Sequence, residues 1–362
     1  MENIIEYVEN NMQGMTEKGF NAVDSLVLSK LAYVRFEHIV PSLAERASAV
    51  RIGELLRAEM FGSMFLNMSE LENNKRFLFA LAASPRFRNI HMNHYIDNSD
   101  TVMEKQFAAV TFFLEDKTAY IAFRGTDSTF VGWKEDFNMA YISPVPSQEE
   151  SVKYVNAVAR RNPFTRVRIG GHSKGGNLAV YASIKCEPAV QKRIISVFNH
   201  DGPGFKDSIL QSPAFFKIKA RIHTTLPESS LVGMLLQHHE DYLVIKSNRH
   251  GIMQHEPFSW IVENDDFCYV ESIKNDAMIR SNTLNDWLNA LTDEKRKLIV
   301  NVLFQVLETT DAETFQELSE DWYKSAVTIL GAVKNIDPES KKFVLQTINA
   351  LAKLSFKNLF KR

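Results

Sequence analysis

With 362 residues, 45% apolar and 24% charged, the chain has enough material for two or three domains, or for one large core with additions. Its formal net charge of −2 excludes a global field that would favour nucleic acid, and two cysteines, Cys186 and Cys268, exclude a disulfide framework. No stretch reaches the roughly eighteen uninterrupted apolar residues of a membrane span, and the early acids of Met1 to Glu6 are unlike a secretory leader, so the cytoplasm is the expected location.

In chain order, Val23, Leu26, Val27, Leu31 and Val34 fall at helical spacing, so residues 21–34 predict a helix. Residues 52–65 and 75–83 predict two more before Ser84-Pro85 stops the run. Between about 89 and 270 strands alternate with helices, the pattern of a mainly parallel sheet with helices on both faces. Residues 107–114 and 118–123 are two β-rich runs separated by Glu115-Asp116-Lys117, which reads as a hairpin. A return helix at 149–160, ended by Asn162-Pro163, leads to the apolar run Val167, Ile169. Beyond 286 the pattern is helical to the end, with its clearest break at 335–338. The chain therefore divides into a helical N-terminal region packing on the core (1–88), an α/β core (89–275) and a helical C-terminal region (276–362).

Gly171-His172-Ser173-Lys174-Gly175 stands where the strand after Val167 ends and the helix with Leu178, Ala179 and Val180 begins. That is the placement of a nucleophile elbow. Glycine is needed on both sides because the central residue is held in a strained conformation and neighbouring side chains would collide with strand and helix. The turn pushes Ser173 Oγ out of the sheet. Upstream, Arg124-Gly125-Thr126-Asp127 closes the second strand of the hairpin, where a backbone N–H and a hydroxyl can meet a developing oxyanion. Lys174 supplies the other expected amide.

Phe123-Arg124-Gly125-Thr126, then Trp133 and Asp136, then the elbow, resemble the class 3 (fungal triacylglycerol) lipases and a large group of uncharacterised bacterial α/β hydrolases related to them. The resemblance covers roughly residues 105–262. Phe198-Asn199-His200-Asp201-Gly202-Pro203-Gly204 is similar to the family's strand and Gly-Pro turn after the elbow helix, and Gln254-His255-Glu256-Pro257-Phe258-Ser259-Trp260 to its histidine segment. It implies an α/β-hydrolase fold, Ser173 as nucleophile, His255 as general base, Thr126 and Lys174 as oxyanion donors, residues 127–137 as a lid region and Asp136 as a brace for the oxyanion loop.

Chain order supports His255, because the base of such enzymes lies on a loop after the last main strand, here residues 242–246; His250 is the runner-up, whereas His223 precedes that strand. His172, inside the elbow, reads as a packing residue. His238 and His239 beside Glu240 and Asp241 lack any metal-ligand spacing, so no metal and no cofactor are expected. For the acid, the resemblance implies a carboxylate just after the strand at 221–224. Glu228 is the only one in that window, with Ser229 and Ser230 beside it and Asp201 and Asp241 as alternatives.

Lys174 invites two readings, contact with an anionic substrate or a packed stem whose ammonium reaches solvent, and the second is preferred. Phe130, Trp133 and Phe137 in the lid region suit either acyl-chain contact or the core face of a short helix. Residues 341–362 carry six basic and no acidic side chains, with Leu345, Ile348, Ala352, Phe356 and Leu359 on one helical face. That face can pack on the body or make a peripheral membrane contact. Together these features predict a serine hydrolase that acts on a small-molecule ester or lipid through an acyl-enzyme on Ser173. The alternative is a catalytically inactive hydrolase scaffold used for binding.

Overall fold

The structure is a computed structural model that describes residues 2–66, 68–127 and 129–308, and beyond them 329, 331, 334, 338, 341, 342 and 344–346. The strands are β1 (Val50–Arg51), β2 (His91–Asp100), β3 (Lys105–Phe113), β4 (Ala119–Phe123), β5 (Val167–His172), β6 (Ile194–His200), β7 (Ile222–Pro227) and β8 (Tyr242–Ile245). A small hairpin of β9 (Val262–Glu263) and β10 (Asp266–Phe267) precedes the edge strand β11 (Tyr269–Val270). The main sheet runs 1-2-3-4-5-6-7-8-11. Strands β4 to β8 are parallel, and the expected hairpin is the antiparallel pair β3 and β4.

Helices α1 (Ile4–Asn10), α2 (Ala22–Leu31), α3 (Phe61–Met64) and α4 (Leu71–Ala83) precede β2. The crossovers hold α5 (Phe130–Asn138) and α6 (Pro146–Arg161), then α7 (Lys174–Lys185) and α8 (Pro188–Gln191), then α9 (Asp207–Leu210) and α10 (Pro213–Ile218). Helices α11 (Asn275–Ala290) and α12 (Asp293–Glu308) follow the sheet. Because the parallel strands are added in one direction, right-handed crossovers all fall on the same face. Tyr154, Val158, Leu178, Ala182 and Phe215 accordingly pack with Ile121, Ile169 and Val197. The opposite face would be bare without the N-terminal region, whose Ile4, Val8, Leu26, Val27 and Phe77 cover Phe112, Tyr120, Ala122 and Phe198. Ile121 and Ala122 go to different faces because strand side chains alternate. This is the α/β-hydrolase fold that the motifs imply.

The expected helix at 52–65 is instead two 3-10 turns and the single turn α3. Gly53 explains part of the break, since a Cβ there would stand 3.3 Å from the Arg88 carbonyl, so the chain turns to pack against that backbone. Of 341–362, Val344 and Leu345 join an apolar cluster with Phe130, Leu303, Phe304 and Leu307. Residues 347–362 and the expected break at 335–337 lie outside the described residues. Among the described residues no helix is long and apolar enough to cross a membrane.

Candidate active site

Ser173 stands at the junction of β5 and α7 with φ 59° and ψ −134°, a left-handed conformation that a serine adopts only when its surroundings over-determine it. They do so here. A Cβ on Gly171 would stand 2.3 Å from the Gly175 carbonyl carbon, and one on Gly175 would stand 2.2 Å from the Phe123 oxygen. Strand, turn and helix are therefore in backbone contact. The Ser173 amide donates to the His200 carbonyl at 2.9 Å, which ties the elbow to the end of β6.

His255 ends a 3-10 turn, Gly251–His255, and its Nδ1 lies 2.6 Å from Asp201 Oδ2. Asp201 is fully buried; its other oxygen accepts from the Ser230 hydroxyl and, at 3.2 Å, from the Gly233 amide. The carboxylate beside the histidine is thus Asp201 and not Glu228. The reason is register: His172 and His200 are partners across β5 and β6, and adjacent strands lie about 4.8 Å apart. The residue after His200 therefore emerges next to the residue after His172. Glu228, one strand further on, turns to Lys274 Nζ at 2.9 Å. Ser230 orients the acid rather than the imidazole.

Asp241 is exposed just before β8, at the amino end of the strands, whereas Ser173, Asp201 and His255 gather at the carboxyl ends, where open α/β sheets bind ligands. His250 is exposed. His238 is held between Glu240, 3.0 Å away, and the Gly233 carbonyl, 2.6 Å away. Among the described residues no group of three or more His, Cys, Asp or Glu side chains converges as a metal site.

Thr126 follows β4, and its hydroxyl donates to Asp136 Oδ2 at 2.5 Å. The loop is stapled to β3 by Gln106, which accepts from the Asp127 amide at 3.1 Å and donates to Thr129 Oγ1 at 3.1 Å. Lys174 opens α7, so its amide is among the four in the first turn with no intrahelical acceptor. Its side chain corrects the sequence reading: Lys174 is 1% exposed, and its Nζ donates to Glu135 Oε2 and to the Gln106 carbonyl, each at 3.0 Å. Neither solvent nor substrate receives that ammonium. The sequence does not mark Glu135, because a charge on a short helix reads as surface until its partner is known.

Burial raises Asp136 from 3.8 to about 6, against the lowering effect of Lys174 and the Thr126 hydrogen bond. The folded-state pKa lies above the unfolded one, so this group's contribution to stability is present below about pH 4 and is lost as pH rises through about 6. Asp136→Asn is expected to flatten the fall in urea midpoint across that window. Parallel curves for variant and wild type would refute it.

Phe130, Trp133 and Phe137 lie on α5 and face α12, with the Phe137 and Phe304 rings 5.9 Å apart. The structure thus joins His255 to Asp201 and sets it against His172, the neighbour of Ser173, with the Gly125 turn before Thr126 close to the serine Cβ, whereas Glu228 pairs with Lys274 and Asp241 is exposed. Tyr33 is a further residue at the site that the sequence reading missed, since it lies about 140 residues upstream of the elbow. It touches His172, which sits against His255.

Residues 81–305 match the family model described as Mbeg1-like. No curated protein matches the chain. Among solved structures it is similar to the Rhizomucor miehei lipase propeptide complex, at 17% identity over 61% of this chain and 66% of that one, TM-score 0.37. It is similar also to a variant of MDLA from Penicillium cyclopium, at 13% identity over 68% of this chain and 83% of that one, TM-score 0.38. A third is lipase II from Rhizopus niveus, at 18% identity over 43% and 67%, TM-score 0.33. The chain spans just under two thirds of the length of the first of these.

Proposed function

The chain belongs to the Mbeg1-like family, and from that premise we propose that it is a serine hydrolase cleaving a carboxylic ester through an acyl-enzyme on Ser173. His255 takes the Ser173 proton during attack and returns it to the leaving alcohol; water then repeats the sequence to release the acid. Asp201 fixes the imidazole tautomer and steadies the imidazolium. The amide of Lys174 and Thr126, in the loop after β4, face the carbonyl oxygen as it becomes negative. One observation carries the reading: the 2.6 Å contact of His255 Nδ1 with a fully buried carboxylate beside a serine in left-handed backbone. Such an acid, base and strained nucleophile at the carboxyl edge of one sheet have a specific chemical use.

A fluorophosphonate probe tests it. Wild type is expected to be labelled covalently and Ser173→Ala to be unlabelled, with hydrolysis of a p-nitrophenyl ester lost in parallel. An unlabelled wild type would instead mark the chain as an inactive hydrolase scaffold.

A further inference from the structure

We propose that Tyr33 and His172 are positioning residues for the general base, joined in a one-way hydrogen-bond chain that holds the backbone carbonyl of His255; this rests on the serine-hydrolase reading above. Asp201 secures the imidazole at one atom only. A ring held at a single point can swing, and displacement by about 1 Å costs on the order of a hundredfold in rate. The second point of attachment is the peptide of His255 itself. Its carbonyl accepts from His172 Nε2 at 2.7 Å, and His172 Nδ1 lies 3.0 Å from Tyr33 Oη, closer than the His172 carbonyl at 3.4 Å.

The chemistry of these atoms gives the chain its direction. A carbonyl only accepts, so His172 Nε2 carries the hydrogen; Nδ1 of the neutral ring then holds a lone pair, and Tyr33 donates to it. Both hydrogens point one way, from Tyr33 to His172 and from His172 to His255. Burial keeps the phenol protonated by pushing it above its usual range. Burial first, then the charges of His255 and Lys30, holds His172 well below the usual histidine range. Neutrality matters because the two imidazole centroids are 4.5 Å apart, and His255 becomes a cation in each turnover. A second cation there would oppose it.

This chain links three pieces distant in sequence. Tyr33 comes from the N-terminal region, His172 precedes the nucleophile, and His255 is the base. The space around Gly125 is fitted to it, since a Cβ there would stand 2.1 Å from Tyr33 Oη. Tyr33 follows α2 and lies outside the stretch that matches the family model. The N-terminal region therefore enters the site as well as covering the sheet.

The test measures kcat and KM on a p-nitrophenyl ester, probe labelling rate and Tm, in the full chain. His172→Gln keeps an amide donor near the place of ring Nε2 and is expected to retain kcat within about threefold. His172→Leu removes the donor at similar volume and should lower kcat by about 10- to 100-fold, with KM within about twofold. Tyr33→Phe leaves His172 Nδ1 without its donor and should lower kcat by about tenfold while the protein still folds. Wild-type kcat in both His172→Leu and Tyr33→Phe would overturn the positioning role and leave the hydrolase reading intact; equal losses in the Gln and Leu variants with lowered Tm would overturn it too. If His172→Leu does not fold, Tyr33→Phe decides alone. A wild type that neither labels nor turns over defeats the hydrolase reading itself.

Discussion

Asp201→Asn is expected to lower kcat on a soluble ester by about 10⁴-fold, while Glu228→Gln stays within about twofold of wild type. An asparagine at 201 keeps the shape but not the demand it makes. Asp201 Oδ2 can only accept, so it selects the His255 tautomer with hydrogen on Nδ1 and a lone pair on Nε2, the atom that must take the serine proton. An amide nitrogen in the same place would select the opposite tautomer and leave Nε2 protonated before the reaction starts. The Ser230 hydroxyl and the Gly233 amide, both aimed at Oδ1, pin the replacement in that orientation by continuing to need an acceptor. Glu228 has no such tie, being paired with Lys274. Steady-state kinetics of the two variants settle the assignment. Comparable losses in both, or a loss confined to Glu228→Gln, would remove Asp201 from the acid role.

The contrast between these carboxylates also shows what a single sequence carries. The elbow could be read because its constraint is local: two glycines, a strand before and a helix after are enough to impose the turn. The alternation of Ile121 and Ala122 and the hairpin turn at 115–117 are local in the same sense. The acid was not local. Its identity depends on which strand end comes into register with the nucleophile strand, and a search downstream of the wrong strand finds Glu228, a plausible residue with another partner. Tyr33 is further still from the motifs, and nothing in its neighbourhood marks it until α2 is laid across the sheet. The misread helix at 52–65 has the same origin, since Gly53 answers to the backbone at Arg88 and not to its own neighbours.

Lys174→Met is expected to destabilise the protein by about 3–5 kcal/mol, although methionine matches the lysine stem in volume and avoids a cavity. The cost arises from what remains. Glu135 is wholly buried and holds the Gln106 amide at 3.0 Å, the Ser147 amide at 2.8 Å and the Lys174 ammonium at 3.0 Å. Without the ammonium a full negative charge stays in the interior with two neutral donors, and the Gln106 carbonyl loses its partner as well. Asp136 adds to the imbalance, because its Oδ1 lies 3.8 Å from the same ammonium. Glu135→Gln should be costly for the mirror-image reason, leaving the buried cation short of a counter-charge. If the two act as one unit, the double variant will cost less than the sum of the singles by about 1–3 kcal/mol. Urea unfolding of the three variants measures this directly. A cost below about 1 kcal/mol for Lys174→Met would show that solvent reaches the pair and screens it as at a surface. A strictly additive double variant would show that the lysine and the glutamate are held independently. The geometry favours neither outcome, because Glu135 binds Gln106 of β3 and Ser147 of α6, and Lys174 is the first residue after the nucleophile. Their pairing fixes α5 to the start of α7, and with it the Lys174 amide proposed to face the oxyanion.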